Sequence, residues 1–265
     1  MKKLKIYMAT CLIAGLAVTV SAGEDLSAKD VQQRSIDVTR VDGTEFLSTL
    51  TIINEKGQKR VRRMATVTRL YDNGALEKKM VKFTEPPDVK DTGFLTFDYD
   101  KKDDDKWMYM PALRKTRRIV SSENAKSFMG SEFSYADMSM PTVDDFNYRF
   151  LPNENVGNDP CRVIEIIPKD DNVADENGFS KKISWIGKKD FVIRKAEYYD
   201  LSGEKEKHME VKSIVEIDTQ KHRYRLKEIE MTNVQNNRKS ISKIEQIKFN
   251  PDIPDDYFTT RYLGK

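Results

Sequence analysis

Few residues in this chain have types and spacing suited to chemistry, so each can be weighed singly. The histidines are His208 and His222, both in charged, strand-like surroundings. Neither has a second histidine or a cysteine at zinc-ligand spacing, so a zinc site is not expected. Ser127 and Ser131 flank Gly130 and could serve as nucleophiles. No base is advertised for either, and the chain has no GxSxG, no P-loop and no GxGxxG after a strand. A triad drawing on His208 or His222 depends on geometry and stays open. Asp170, Asp171, Asp175 and Glu176 depart from the spacing of a calcium loop, which needs glycine at its sixth place and glutamate at its twelfth. A solvated acidic excursion is the simpler reading. The expectation is a protein that is not an enzyme and has no cofactor or metal.

The charges balance: 46 basic against 43 acidic residues, net +3. This gives no nucleic-acid footprint. The basic run Arg114-Lys115-Thr116-Arg117-Arg118 follows closely on Asp103-Asp104-Asp105, as in a solvated face or turn. Against this charged background, SFMGSEFSYADM (residues 127–138) gathers Phe128, Met129, Phe133, Tyr135 and Met138 around a glycine. It could be a core helix, a lid over an apolar cavity, or an interface.

The first residues read MKKLKIYMATCLIAGLAVTVSAGED. A positive start, an apolar run to about Val20 and small residues at Val20-Ser21-Ala22 make an export signal, with cleavage expected after Ala22. Cys11 lies inside the apolar run, not at its end, so it reads as part of a discarded peptide and not as a lipidation site. Residues 23–265 then form a single domain, large enough for a sizeable core, and no later run is long enough to span a bilayer. Export leaves Cys161 as a lone cysteine, which cannot make an internal disulfide; a buried structural thiol at a strand start is expected.

The elements that must position these residues are mostly strands. Residues 208–217 alternate, with Met209 and Val211 on one face; so do Phe46, Ser48, Leu50 and Ile52, and Leu95, Phe97 and Tyr99. Trp107 and Tyr109 share one face, with Met108 and Met110 on the other. Gly187-Lys188-Lys189-Asp190 and Asn236-Asn237 mark turns. Met64 against Val67, and Met80 against Val81, put apolar residues on both faces. That pattern suits a sheet curled around something apolar with its outer face partly covered. Three helices are expected: Ser27 to Val38, capped by Ser27; Pro254 to Leu263; and the 127–138 stretch.

The joined motif Trp107-Met108-Tyr109-Met110-Pro111, Arg117-Arg118-Ile119 and Ser127-Phe128-Met129-Gly130-Ser131-Glu132-Phe133-Ser134-Tyr135-Ala136-Asp137-Met138 resembles the outer-membrane lipoprotein-sorting, LolA-like family of periplasmic carriers. Gly93-Phe94-Leu95 and Phe258 to Leu263 fit the same pattern, so the resemblance covers most of residues 23–265. It implies a mainly β fold: a strongly curved antiparallel sheet forming an unclosed half-barrel, covered by short lid helices. It also implies an apolar cavity holding the acyl chains of a lipid or lipoprotein, carriage through the periplasm toward the outer membrane, transient membrane contact, and partnership with an inner-membrane RND-type transporter. A basic strand residue serves such carriers, and Arg60, Arg62, Arg63 and Arg69 are the candidates. On this reading residues 127–138 form a lid that bends at Gly130. Trp107, Tyr109, Phe128, Met129, Phe133, Tyr135 and Met138 are expected as cargo or lid contacts, with Leu50, Ile52, Leu95 and Phe97 in the sheet wall. A non-transferring lipid sensor or exporter-docking module, using the basic run as a docking surface, is the alternative; a lipid hydrolase is a third. Plain core packing stays open for each residue.

Overall fold

The computed structural model describes residues 26–140 and 142–265; the expected export signal, residues 1–22, lies outside the described residues. Two antiparallel meanders make the sheet. The first is β1 (Gly43–Ile53), β2 (Lys59–Tyr71), β3 (Leu76–Glu85), β4 (Gly93–Tyr99), β5 (Asp105–Met110) and β6 (Lys115–Ile119). The second is β7 (Phe146–Val156), β8 (Asp159–Pro168), β9 (Lys181–Gly187), β10 (Ile193–Tyr199), β11 (Lys205–Asp218), β12 (Arg223–Asn233) and β13 (Arg238–Phe249). Pairing of β1 with β13 joins them into one 13-stranded sheet whose edges are β6 and β7.

β6 and β7 are neighbours in sequence but stand at opposite edges, so the sheet is not closed. The described residues between them, 120–140 and 142–145, run from one edge to the other. They cross one face, and that face is concave. Phe94 of β4 and Ile186 of β9 belong to one buried apolar cluster, although in a flat sheet strands eight places apart lie about 38 Å from each other. Only strong curling brings them together.

Helix α1 (Ala28–Asp37) begins at Ser27, as its sequence predicts. Ser27 accepts from the Asp30 backbone N–H, and the Asp30 carboxylate accepts from the Ser27 N–H, completing a capping box. The acidic excursion contains a short helix not expected from the sequence, α2 (Asp171–Asn177), capped by Asp170 accepting from Val173 N–H and ended by Gly178 at φ 73°. Asp255–Phe258 forms a 3-10 turn, followed by α3 (Thr260–Leu263).

One expected helix does not form. Residues 127–138 contain two 3-10 turns, Phe128–Gly130 and Ala136–Met138, separated by extended backbone. Met129 at φ 54° and Gly130 at φ 74° are both left-handed, which no α-helix accommodates. Phe128 N–H instead donates to Phe133 O at 2.7 Å and Tyr135 N–H to Lys126 O at 3.0 Å, folding the segment on itself.

The sheet is apolar on both faces, as the paired apolar positions predict. Met64 and Val81 lie in the concave cluster; Val67 and Met80 lie in a second cluster on the convex face. The C-terminal residues cover that second cluster with Ile253, Tyr257, Phe258, Tyr262 and Leu263. Cys161 opens a third, smaller cluster with Val163 and Trp185 and is fully buried; burial pushes its thiol pKa up, as expected for a structural cysteine.

A candidate lipid-binding site under the crossing segment

Strand alternation sets Leu50 and Ile52 of β1, Met64 of β2, Val81 and Phe83 of β3, Phe94 of β4 and Met108 of β5 on the concave face. From the other meander come Met209 of β11 and Met231 of β12. The crossing segment lays its aromatics onto this floor. The Phe128 ring lies 6.1 Å from Phe83, 5.6 Å from Phe94 and 5.7 Å from Tyr135. Phe128, Phe133 and Tyr135 are 2%, 5% and 7% exposed. The hollow expected from the sequence is therefore occupied by the segment's own side chains. A water-filled apolar hollow of that size would be costly, so the closed form fills itself.

Seven of the eleven expected site residues meet in this cluster: Leu50, Ile52, Phe128, Met129, Phe133, Tyr135 and Met138. The other four do not. Leu95, Phe97, Trp107 and Tyr109 belong to the convex cluster beneath the C-terminal residues. The cross-strand rows explain this correction: Met80, Leu95 and Trp107 are direct partners on one face, and Val81, Phe94 and Met108 on the other.

The crossing segment is fastened by side chains and not by a strand ladder. Among its described residues the one isolated β-bridge, Ser127 with Ser134, is internal. Arg62 donates to Met129 O, and Arg238 donates to Gly130 O at 3.1 Å and pairs with Glu132 at 3.0 Å. Glu132 N–H donates to Ser240 Oγ at 2.9 Å. At the far end, Lys79 Nζ donates to Met138 O at 2.6 Å and Met140 N–H donates to Asp98 at 2.7 Å. Of the four arginines in question, Arg62 is thus the one that reaches the segment. Its direction is legible, because it sits two residues before the inward Met64. Arg238, Lys79 and Asp98 were not anticipated; they lie far from residues 127–138 in sequence, and only the fold brings them near.

A polar band closes the deep end of the concave face. Glu77, which is fully buried, lies 3.7 Å from Arg225 and 3.8 Å from Lys79. Lys106 pairs with Asp104 at 3.3 Å and donates to Asn124 Oδ1 at 3.0 Å. Burial first, then the Asp104 charge, pushes the Asp98 carboxyl up to about 7. Burial lowers the pKa of Arg225, and Glu77 partly restores it. At the opposite end, the mouth, a cleft of about 480 Å³ is lined by Ile52, Asn54, Glu55, Gln58, Lys59, Arg60, Arg62, Met129, Gly130 and Arg238.

The residues weighed for catalysis are engaged elsewhere. Ser127 Oγ donates to Ser131 O at 2.6 Å and Ser131 Oγ to Phe128 O at 2.7 Å, both shaping the segment. His222 sits 2.8 Å from Glu216, and His208 lies 4.0 Å from Glu210. Among the described residues no cluster of three or more His, Cys, Asp or Glu could hold a metal ion. No helix among them is long and apolar enough to cross a membrane. Arg117 and Arg118 of the basic run pair with Glu123 and Asp105 on edge strand β6 and its neighbours.

The unclosed, 13-stranded antiparallel sheet with its few short helices matches the LolA-like class. A family model described as "Uncharacterized protein" matches residues 75–265, and the chain belongs to that LolA-like family. It is similar to a solved outer membrane lipoprotein-sorting protein domain from Vibrio parahaemolyticus, with 25% identity and TM-score 0.81, over 90% of this chain and 98% of that one. A DUF1329 family protein from Desulfovibrio piger shares the fold at 24% identity and TM-score 0.81, over 89% of this chain and 97% of that one. So does a LolA superfamily protein from Nitrosomonas europaea, at 19% identity and TM-score 0.67, over 89% and 99%. No curated protein matches the sequence.

Proposed function

We propose that this protein is a periplasmic carrier, exported with residues 1–22 removed, that shelters the acyl chains of a lipid or lipoprotein on the concave face and releases them to an acceptor on the way to the outer membrane. One observation carries the reading. No strand pair among the described residues ties the segment that fills the concave face to the sheet: it is held by side-chain bonds to its carbonyls and to the Glu132 and Met140 N–H groups, by the Glu132–Arg238 ion pair and by apolar packing. A hydrocarbon tail can replace Phe128, Phe133 and Tyr135 on the same floor. Each buried methylene contributes about 0.8 kcal/mol, so a sixteen-carbon tail offers roughly 10 kcal/mol before ordering costs. That is comparable to what displacing three aromatic side chains requires.

The similarity to a lipoprotein-sorting domain supports lipoprotein or lipid as cargo. Affinity comes from apolar area, and transfer from the opening of the segment; no catalytic group is called on. An inner-membrane transporter of the RND type as donor belongs to the same proposal. Native mass spectrometry of protein purified from its own periplasm tests it. A co-purifying acyl species, lost when Phe83→Asp puts a charge on the floor but the circular dichroism of the sheet persists, is the expected result. Protein free of any lipid or lipoprotein, together with failure to take up labelled lipid from vesicles, would sink the carrier reading.

A further inference from the structure

The cleft at the mouth departs from how this molecule treats its other cations. Elsewhere arginines sit on carboxylates: Arg40 on Asp100, Arg69 on Asp255, Arg149 on Glu165, Arg194 on Asp190. Here Lys59, Arg60, Arg62 and Arg238 line one cleft whose lining holds one carboxylate, Glu55; of the four cations Arg238 alone makes an ion pair among the described residues, with Glu132 at 3.0 Å. Lys59 and Arg60 are exposed, and neither makes an ion pair among the described residues. Arg62 and Arg238 spend donors on the neutral carbonyls of Met129 and Gly130. The floor is apolar, with Ile52 and Met129, and runs into the concave cluster.

Cations over an apolar floor fit an anionic amphiphile. We infer that this cleft binds the headgroup of a net-anionic phospholipid, and that the headgroup opens the crossing segment by taking Arg62 from the carbonyl of Met129 and Arg238 from that of Gly130. The inference rests on the carrier reading and names its substrate class. A phosphodiester shares its charge over two oxygens that a guanidinium can grip at once, adding an ion–ion attraction that a neutral carbonyl does not offer. The exchange also frees Met129 from its left-handed backbone, a conformation that a non-glycine residue disfavours. Burial disfavours the Arg62 cation; the Asp88 charge partly offsets this and the neighbouring Arg60 charge adds to it, so an anion between Arg60 and Arg62 relieves that crowding. The acyl chain then follows its headgroup onto the floor that the segment has left.

The test uses delipidated protein and vesicles carrying fluorescent phosphatidylglycerol or phosphatidylcholine. The expected result is a preference of about tenfold for phosphatidylglycerol, corresponding to one or two charge contacts. The double variant Lys59→Gln, Arg60→Gln should lose the preference and keep phosphatidylcholine uptake. Lys188→Gln, Lys189→Gln removes the same charge from the β9–β10 turn, at the other end of the strands, and should keep the preference. Equal uptake of both lipids by the unaltered protein, or a preference that survives Lys59→Gln, Arg60→Gln, overturns the headgroup site and leaves the carrier standing. Uptake of neither lipid brings down the carrier reading and this inference with it. Should millimolar inorganic phosphate block phosphatidylglycerol uptake and by itself quicken amide exchange in residues 128–135, the site is one for the free ion and the lipid assignment fails.

Discussion

The two covers of the sheet use the same fastening for different ends. On the convex face, Lys82 donates to Leu263 O at 3.0 Å and Arg69 to Ile253 O at 3.0 Å, holding the C-terminal residues by their carbonyls. On the concave face, Arg62, Arg238 and Lys79 hold residues 129–138 in the same way. What differs is the fit underneath. Leu263 is fully buried and lies so close to Gly93 that a Cβ there would come within 2.5 Å of its Cδ1. Tyr257 stacks on Tyr262 at 4.6 Å, and Tyr71 meets Phe258 edge-on at 6.1 Å. The crossing segment instead carries left-handed backbone at Met129 and a buried carboxylate, Asp98, under its far end. On the carrier reading, one cover is part of the core and the other a stopper that closes at some expense in strain.

The largest effects should separate them. Leu263→Ala is expected to cost about 2–5 kcal/mol of global stability, because Leu263 is fully buried in the convex cluster and seated against Gly93. Phe128→Ala should cost less on chemical denaturation and should quicken amide exchange in residues 127–135. A segment that can open while the sheet stays folded caps the global penalty at its own opening free energy. Equal costs for the two variants, with no change in exchange, would erase the distinction between core and stopper.

A pH series sharpens it further. The Asp98 carboxyl is raised from its ordinary value of 3.8 to about 7. Between those values the folded protein holds a proton that the unfolded chain has lost, so stability falls as pH rises from about 4 to 7 and levels off above. Below pH 4 both states are protonated and the penalty is absent. Asp98→Asn keeps a neutral acceptor for the Met140 N–H and should flatten this slope, gaining on the unaltered protein by a few kcal/mol at pH 7, within the roughly 1.4 kcal/mol per pKa unit that linkage allows. Thermal melts at pH 4, 5.5 and 7 read it directly. A slope that is the same in both proteins would remove Asp98 from the account.

Much of this architecture was legible in the residues. Alternation through residues 208–217 and the paired apolar positions at Met64 and Val67 predict a sheet buried on both faces, and Ser27 predicts the start of α1. The burial of Phe128, Phe133 and Tyr135 was foreshadowed by their clustering, while the expectation of a lid came from the family resemblance and not from the aromatics. Which face was the inner one did not. Trp107 and Tyr109 are as apolar as Met108 and Met110, and period-two alternation separates two faces without saying which one curls inward. The α-helical expectation for residues 127–138 failed because two left-handed residues in succession leave no mark in hydrophobic spacing. Nor could the fastening be read ahead. Arg62 and Arg238 meet at Met129-Gly130 only because β1 pairs with β13, a contact between the two ends of the fold.

The smallest effects test the fastening itself, one clip on each cover. Arg62→Met and Lys82→Met each remove a side-chain bond to a backbone carbonyl, worth about 1 kcal/mol. The global midpoint of unfolding should move little in either. The difference should appear locally. Arg62→Met lets the stopper open more often, so amide exchange in residues 128–135 should quicken several-fold while residues 257–263 stay protected. Lys82→Met should leave the stopper untouched, and the packing of Leu263 and Tyr262 should keep the tail in place without its clip, since a tail seated by its apolar side chains does not need a polar tether to stay docked. Loosening of the tail in Lys82→Met, equal to that of the stopper in Arg62→Met, would mean that both covers hang on their cations. The convex face would then be as open to exchange as the concave one.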